Sequence, residues 1–443
     1  MNMLPPPHVA GVLRRLRDAG HAAYAVGGCV RDCMMGLAPA DYDVATSATP
    51  EETLRVFAGE RVVETGVKHG TVTVLTGGAS VEVTTFRVDG AYSDARRPDA
   101  VTFTPSLPAD LARRDFTVNA MAWDEREDLL IDPYGGAADV ERRVIRCVGD
   151  PDTRFREDAL RILRALRFAA VLDFSIEAET AAALRRNAPL LEKVSAERVN
   201  VELCKLLCGR NVRAVLLEYG DVLGVPIPEI LPMRGFDQHN PYHIYDVWGH
   251  AAAAVESAPP TVVLRLAALL HDIGKPPCFT LDEGGGHFYG HAKIGAEMAD
   301  TILRRLRFDT ATRERVVMLV REHCGFELTE RAVKRALNRL GPEAYFELSA
   351  LMRADNLAQS PALRHRQAWI DAMERLGRDI LEKETCFSLK DLAVNGDDLI
   401  AAGYAPGPAL GAALKLLLDA VIDGRAENEK SALLAYLERD DPS

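Results

Sequence analysis

No stretch of the 443 residues is apolar for long enough to span a bilayer, and the longest candidates are broken by charges. A helical membrane protein is therefore not expected, and no membrane partner is expected either. The opening MNMLPPPHVAGVLRRLRDAG has no basic-then-apolar leader, which sets the expectation of a cytoplasmic protein. Zinc-type CxxC pairs are missing. Of the eight cysteines, Cys29/Cys33 and Cys204/Cys208 stand four apart, a helical spacing, and reduced thiols are the natural reading. An excess of positive charge is missing as well. A net charge of -12 argues against a generally sticky nucleic-acid binder, so any RNA contact needs a local basic surface. No tandem repeat and no low-complexity tract interrupts the chain.

What is present has four textures, and at this length several domains are expected rather than one core. Residues 1–145 mix strands and turns: AYAVGG, TVTVL and VEVTTF are β-branched runs bounded by glycine. Residues 146–235 are helical, with apolar positions three and four apart in DALRILRALRFAAVL and AERVNVELCKLL. Residues 236–362 are helical and rich in histidine. Residues 363–443 are helical with a Gly/Pro break at GYAPGPALG. The expected architecture is an α+β head with a small mixed sheet, followed by all-α neck/body, histidine-rich and tail domains.

The densest chemistry lies in YAVGGCVRDCMMGLAPADYDVATSATPEE. A strand runs into Gly27-Gly28, where backbone can approach phosphate closely, and Arg31-Asp32 follow on a helix start. Asp41 and Asp43 flank one residue on an apparent strand, so alternation turns both carboxylates to one face. Hard oxygen donors suit Mg²⁺, and a pair of ions can clamp the attacking and leaving oxygens of an in-line displacement. Alone, a DxD is most often a solvated loop; the order GG, RD, DxD reverses those odds. Glu82, on VEVTTF, is equally well a third carboxylate or a plain strand residue. Downstream, Arg113 and Arg114 can neutralise triphosphate, and Asp115, Asn119 and Asp132 can position sugar or backbone. By spacing alone, these residues make a capped helix and a turn.

GGCVRD, DYD, RRDFTVNA, DPYGG and RFREDALRILRALRF, in this order, resemble the class II tRNA nucleotidyltransferase and bacterial poly(A) polymerase family. The resemblance is dense from residue 20 to about residue 235. It implies a nucleotidyltransferase-type palm and an NTP and Mg²⁺ site using Gly28, Arg31, Asp41, Asp43 and Arg114. It also implies head, neck, body and tail segments that cradle an RNA acceptor end and extend it without a nucleic-acid template. Glu157, Asp158 and Arg161 match the family's base-selecting motif residue by residue, and Arg164 and Arg167 carry over as triphosphate or nucleotide contacts. Ser195-Ala-Glu197-Arg198 resembles the family's capped neck helix and is expected to be structural.

Base chemistry supports the selecting role. On a helix, Asp158 and Arg161 are neighbours three apart, and the bland reading is a surface ion pair of a few tenths of a kcal/mol. Cytosine and adenine, however, each present an amino donor beside a ring-nitrogen acceptor. A carboxylate accepts from the first while an arginine donates to the second. Uracil and guanine present a protonated ring nitrogen beside a carbonyl, so the same pair meets the wrong groups. The expected substrates are therefore CTP and ATP. Arg164 and Arg167 extend one basic stripe at the same spacing.

The third segment carries His250, the adjacent His271-Asp272 after the apolar run LRLAALL, His291 at a helix start, His323 in REHCG, and Asp355 in MRADN. One buried histidine is usually just packed. A His–Asp pair between earlier and later histidines, with a late aspartate, is harder to dismiss, and imidazole with carboxylate suits a divalent first-row metal. The spacing resembles the HD phosphohydrolase superfamily. That resemblance implies a divalent transition metal or Mg²⁺ on His250, His271, Asp272 and Asp355, with His291 and His323 offered to a second ion. His287 and His243 are weaker candidates.

The leading expectation is CCA addition to the tRNA 3′ end with an additional HD-type phosphoesterase. The alternative is a poly(A) polymerase or a partial enzyme adding only A or only CC. Against the first, family poly(A) polymerases carry a basic tail and no HD domain, whereas this sequence reads acidic ERDDPS at its end. Against the second, RVDGAYSDARRPD after the DxD looks complete. A protein-modifying regulatory nucleotidyltransferase is expected to lack RRDFTVNA and EDALR. A non-catalytic RNA-binding module has no need of the carboxylates.

Overall fold

The computed structural model describes residues 5–64, 66–67, 70–90, 101–239, 242–283, 285–383 and 385–440. The chain forms two compact units, Met1–Pro228 and Glu229–Ser443.

The first unit opens on α1 (Pro7–Asp18), then β1 (Ala23–Val26), α2 (Gly28–Met34), β2 (Asp43–Thr46), α3 (Pro50–Val56), β3 (Arg61–Val63), β4 (Thr71–Thr76), β5 (Ala79–Thr85), β6 (Arg87–Asp89), β7 (Val101–Phe103), α4 (Leu107–Ala112), β8 (Ala122–Asp124), β9 (Leu129–Ile131) and α5 (Gly136–Arg142). Seven strands make one mixed sheet in the order β3-β4-β5-β2-β1-β8-β9. The three runs read as strands from their β-branched content are β1, β4 and β5. Alternation decides what faces inward. Val72, Val74, Val81 and Val83 are buried, and several of them pack with Val9, Val12, Leu13 and Leu16, the three-and-four stripe of α1. Glu82, between two buried valines, is thereby turned to the opposite face. Strand β2 lies between β1, antiparallel, and β5, parallel, so Asp43 stands in register with both Val26 and Glu82.

Helices α6 (Pro151–Glu157), α7 (Leu160–Leu172), α8 (Ala178–Asn187), α9 (Ala196–Leu207) and α10 (Val212–Leu223) complete the unit. The sequence-based expectation of one continuous helix through EDALR is corrected. Asp158 is extended, with φ -141° and ψ 103°, so α6 ends before it and α7 begins after it. The break has a local cause. Asp158 accepts the Leu160 amide on its carboxylate at 3.1 Å and the Arg161 amide on its carbonyl at 3.0 Å, bonds that compete with helix continuation. Helix α7 then packs against α9 and buries most of its length.

The second unit runs through α11 (Val247–Ser257), α12 (Val262–Leu270), α13 (His291–Arg305), α14 (Thr310–Glu322), α15 (Glu330–Leu340), α16 (Pro342–Ala358), α17 (Arg366–Glu382), α18 (Gly396–Ala401), α19 (Pro408–Ile422) and α20 (Lys430–Asp440). Helices α11 and α12 are buried almost all round, as their alanine and leucine runs require, and α12 packs on α11, α14 and α16. Among the described residues no helix is long and apolar enough to cross a membrane, and no disulfide forms.

Candidate functional site

The β1–β2–β5 register sets the first site. Asp43 opens β2, with Glu82 directly across the parallel ladder. Asp41 lies just before the strand rather than on it, and is exposed. Burial pushes the Asp43 carboxyl up from its usual range; Glu82 and Asp41 push the same way, while Arg114 pulls it down. Asp43 and Glu82 face a cavity, with the Asp41 carboxylate close enough to repel Asp43, and such mutual repulsion is what a hard divalent cation would relieve. The residues therefore fit Mg²⁺, and the strand glutamate left open by the sequence stands beside the DxD.

The cavity, about 530 Å³, is rimmed by arginine. Gly27 and Gly28 form its floor. Gly27 has φ 78°, and a Cβ there would lie 2.8 Å from Arg114 Nη1, so the glycine makes room for that guanidinium. Arg31 donates to Asp32 at 2.7 and 2.8 Å and to Asn119 Oδ1 at 2.6 Å, while Arg114 donates to the Asn119 carbonyl at 3.2 Å. Arg113 is held by Asp110 at 2.8–2.9 Å. Arg164 lies 2.6 Å from Asp115. Burial pushes the Asp115 carboxyl up, but the Arg164 and Arg161 guanidiniums outweigh it and hold it down to about 2. Arg31, Arg164 and Arg167 surround the Phe168 ring at 5.3, 5.4 and 4.1 Å, and Arg167 is paired with Glu202 at 3.2 Å.

The cavity gathers Gly28, Arg31, Asp43, Arg114, Asp158, Arg161 and Arg164 from among the residues singled out in the sequence. Glu157 and Arg167 stand behind its wall. Asp132 lies elsewhere: it accepts the Gly136 and Ala137 amides at 2.7 and 2.9 Å, the helix-start role that spacing alone suggested.

Asp158 and Arg161 are not an ion pair. Arg161 donates to Glu157 at 2.6 Å, to the Arg154 carbonyl at 3.2 Å and to the Arg113 carbonyl at 3.1 Å. Asp158 is clasped bidentately by Arg198 at 2.7 and 3.2 Å. The reading of Ser195–Arg198 as merely a capped helix is corrected on both counts. Ser195 takes the N-cap position without a side-chain cap bond, and Arg198, three residues on, reaches into the cavity wall. No local pattern signals this, because the partners are 40 residues apart.

In the second unit, the end of α12 places His271 and Asp272 against His250 of α11 and Asp355 of α16. His250 and His271 face each other with Nε2 atoms 3.1 Å apart; Asp272 Oδ2 is 3.3 and 3.2 Å from them, and Asp355 Oδ1 is 2.9 Å from His250. A second imidazole pair stands on the other oxygen of Asp272. His291 and His323 have Nε2 atoms 3.2 Å apart, and Oδ1 lies 3.5 and 3.8 Å from them. In each of the four rings Nδ1 faces a backbone carbonyl, those of Ala358, Ala268, Phe288 and Val320, at 3.4, 2.8, 2.8 and 2.7 Å. Those carbonyls keep the neutral ring's proton on Nδ1 and leave the Nε2 lone pairs converging, which is the arrangement a metal ligand needs. Burial pushes His323 down to about 4 and His291 below its usual value, so both are neutral at pH 7.

Gly274, in His-Asp-Ile-Gly-Lys, admits α13: a Cβ there would meet the His291 carbonyl at 2.2 Å. Three residues missed in the sequence join this cavity of about 750 Å³. Lys275 Nζ stands 2.7 Å from Asp272, Cys324 Sγ stands 3.8 Å from both His291 and His323 Nε2, and Trp369 supplies an aromatic wall. Of the weaker candidates, His243 packs edge-on against His250, and His287 bonds Asp282 at 3.0 Å while stacking on Tyr289.

Comparison with known proteins places these features in context. Residues 23–146 match the family model described as poly A polymerase head domain, 173–220 the one described as probable RNA and SrmB-binding site of polymerase A, and 287–437 the putative tRNA nucleotidyltransferase domain 2. A Lactobacillus delbrueckii CCA-adding enzyme is 35% identical over 428 residues, covering 96% of each chain. A Geobacillus kaustophilus CCA-adding enzyme is 51% identical over 215 residues, 48% of this chain and 52% of that one. The solved structure of the Bacillus stearothermophilus CCA-adding enzyme in complex with CTP matches with TM-score 0.75 and 31% identity, covering 98% of each chain.

Proposed function

The chain belongs to the class II CCA-adding enzyme family, and we propose that it adds C, C and A to tRNA 3′ ends from CTP and ATP by two-metal nucleotidyl transfer. The observation that carries this reading is the pair of carboxylates Asp43 and Glu82, in register across β2 and β5, opening onto an arginine-rimmed cavity that also contains Asp158 and Arg161. Asp41 and Asp43 would hold Mg²⁺, whose charge, when bound, draws the attacking hydroxyl and the leaving phosphate oxygens into line. Arg31 and Arg114, set by Asn119, neutralise the triphosphate. Asp158 accepts from the exocyclic amino group; an ionised carboxylate has about four acceptor positions, so the Arg198 clasp and the Leu160 amide leave one for the base. Arg161, oriented by Glu157, donates to the ring nitrogen.

The test is to offer trimmed tRNA with each triphosphate singly and in combination and to sequence the products. CCA ends from CTP plus ATP are expected. Long A tracts would establish a poly(A) polymerase, and arrest after CC or acceptance of A alone would establish a partial enzyme. The segment RVDGAYSDARRPD, which favours the complete reaction, lies mostly outside the described residues.

A second reading concerns the histidine cluster. Four imidazoles with Nδ1 tied to carbonyls, converging on Asp272 and Asp355, support metal-dependent phosphoester hydrolysis of the HD type. His250, His271, Asp272 and Asp355 would hold one divalent ion, which makes hydroxide available near neutral pH when bound. Lys275, 2.7 Å from Asp272, supplies fixed positive charge beside the place a phosphate would take. Hydrolysis of 2′,3′-cyclic nucleotides, tested across Mg²⁺, Mn²⁺, Ni²⁺ and Co²⁺, decides it; none with any ion would sink this reading.

A further inference from the structure

The two imidazole pairs beside Asp272 differ in one respect. Around His250 and His271 the remaining donors are carboxylate oxygens, whereas beside His291 and His323 there is a thiol. Cys324 follows His323 at the end of α14, and His291 opens α13, so donors from two helix ends meet. The ligand atoms of His291, His323 and Cys324 lie within 4.8 Å of one another.

The separations can be compared with what an ion requires. Zn–N bonds of about 2.05 Å and Zn–S bonds of about 2.3 Å, at tetrahedral angles, put neighbouring donors about 3.4 Å (N···N) and about 3.6 Å (N···S) apart. The observed spacings are 3.2 Å between the two Nε2 atoms and 3.8 Å from Sγ to each. Asp272 Oδ1 lies beside this set, 3.5 and 3.8 Å from the same nitrogens. Cys324 is exposed, so an ion has a route from solvent.

The geometry points to a second cation site made by His291, His323, Cys324 and Asp272, selective for a thiophilic ion such as Zn²⁺ over Mg²⁺. It rests on the reading of this cluster as a metal centre and adds a ligand and an ion preference to it. Two imidazoles, one thiolate and one carboxylate form a borderline-soft set, whereas Mg²⁺ prefers octahedral oxygen. On binding, the S–H bond is replaced by a sulfur–metal bond and the proton passes to solvent. Asp272 then serves both sites, Oδ2 toward His250 and His271 and Oδ1 toward His291 and His323.

Cobalt reports thiolate ligation directly. The full-length chain, loaded with Co²⁺, should show the near-ultraviolet thiolate-to-cobalt charge-transfer band, with metal content read by elemental analysis. Cys324→Ser should remove the band and weaken binding of that ion at least tenfold, with the thermal midpoint of the metal-free protein as fold control. Cys324→His should restore binding without the band. His250→Ala should lose the other ion and keep the band. Zn²⁺ should displace Co²⁺ and abolish the band, while Mg²⁺ in large excess should not. Cobalt bound with no band, or a band that survives Cys324→Ser, overturns this site but leaves the hydrolase reading intact. No cobalt on the cluster overturns both.

Discussion

The two candidate sites solve opposite electrostatic problems. Around Asp43 the donors are carboxylates, their repulsion offset in part by Arg114, in a cavity whose other arginines are pinned: Arg31 by Asp32, Arg164 by Asp115, Arg161 by Glu157. Around Asp272 three buried imidazoles and the half-buried His291, each with Nδ1 set against a main-chain carbonyl, surround two carboxylates. The first is a charged cavity whose hard donors suit an ion that exchanges with substrate. The second is a preorganised pocket of imidazole and carboxylate donors suited to an ion that stays. A chain that holds both can keep the two chemistries apart by ligand softness as well as by distance along the sequence.

The largest expected effect is on the carboxylates. Asp41→Asn or Asp43→Asn should lower labelled CTP incorporation into trimmed tRNA by about a thousandfold, since several kcal/mol of charge stabilisation depend on the ion, and should leave phosphoester hydrolysis and the thermal midpoint unchanged. Incorporation near normal in a folded variant would remove that residue from the ion site. The converse break comes next. His271→Ala or Asp272→Ala should abolish metal-dependent hydrolysis, measured on the same preparation, and retain CCA addition. Loss of both activities in a folded protein would mean that the two sites are not independent.

Smaller effects sharpen the picture of the cavity. Asp158→Ala and Arg161→Ala should each lower kcat/KM for CTP and ATP about 10- to 100-fold, equivalent to about 1–3 kcal/mol of bidentate recognition, while UTP and GTP change less. An equal fall for all four triphosphates would reduce the pair to a scaffold. Arg198→Ala, which frees the Asp158 carboxylate from its clasp, should cost about tenfold on the same two substrates, as expected for one charged hydrogen-bonded partner; no change would make Arg198 a spectator. The smallest effect concerns tRNA affinity, which should fall as salt rises. Of the basic residues available in the neck, Arg154 is paired with Glu157 at 3.0 Å and Arg164 with Asp115 at 2.6 Å, which leaves the exposed Arg156 as the better phosphate partner. Arg156→Ala should shallow the slope of log K against log salt by about one; an unchanged slope would place the contact elsewhere.

The sequence by itself determined the elements and the donor types. Period-two valines set β4 and β5, three-and-four spacing set α1 and α7, and short-range spacing brought Asp41 beside Asp43 and His271 beside Asp272, because each is a property of a few consecutive residues. Tertiary structure alone decided which side chains meet across large separations. Glu82 became a neighbour of Asp43 through a parallel strand pairing, Arg198 reached Asp158 across 40 residues, and Cys324 came to face His291 across 33. It also decided where local propensity gave way: a helical EDALR opens at Asp158 because its own carboxylate and carbonyl take the next amides while Arg198 clasps the carboxylate. Such contacts leave no local periodic trace, since their partners are fixed by how sheets and helices pack and not by spacing along the chain.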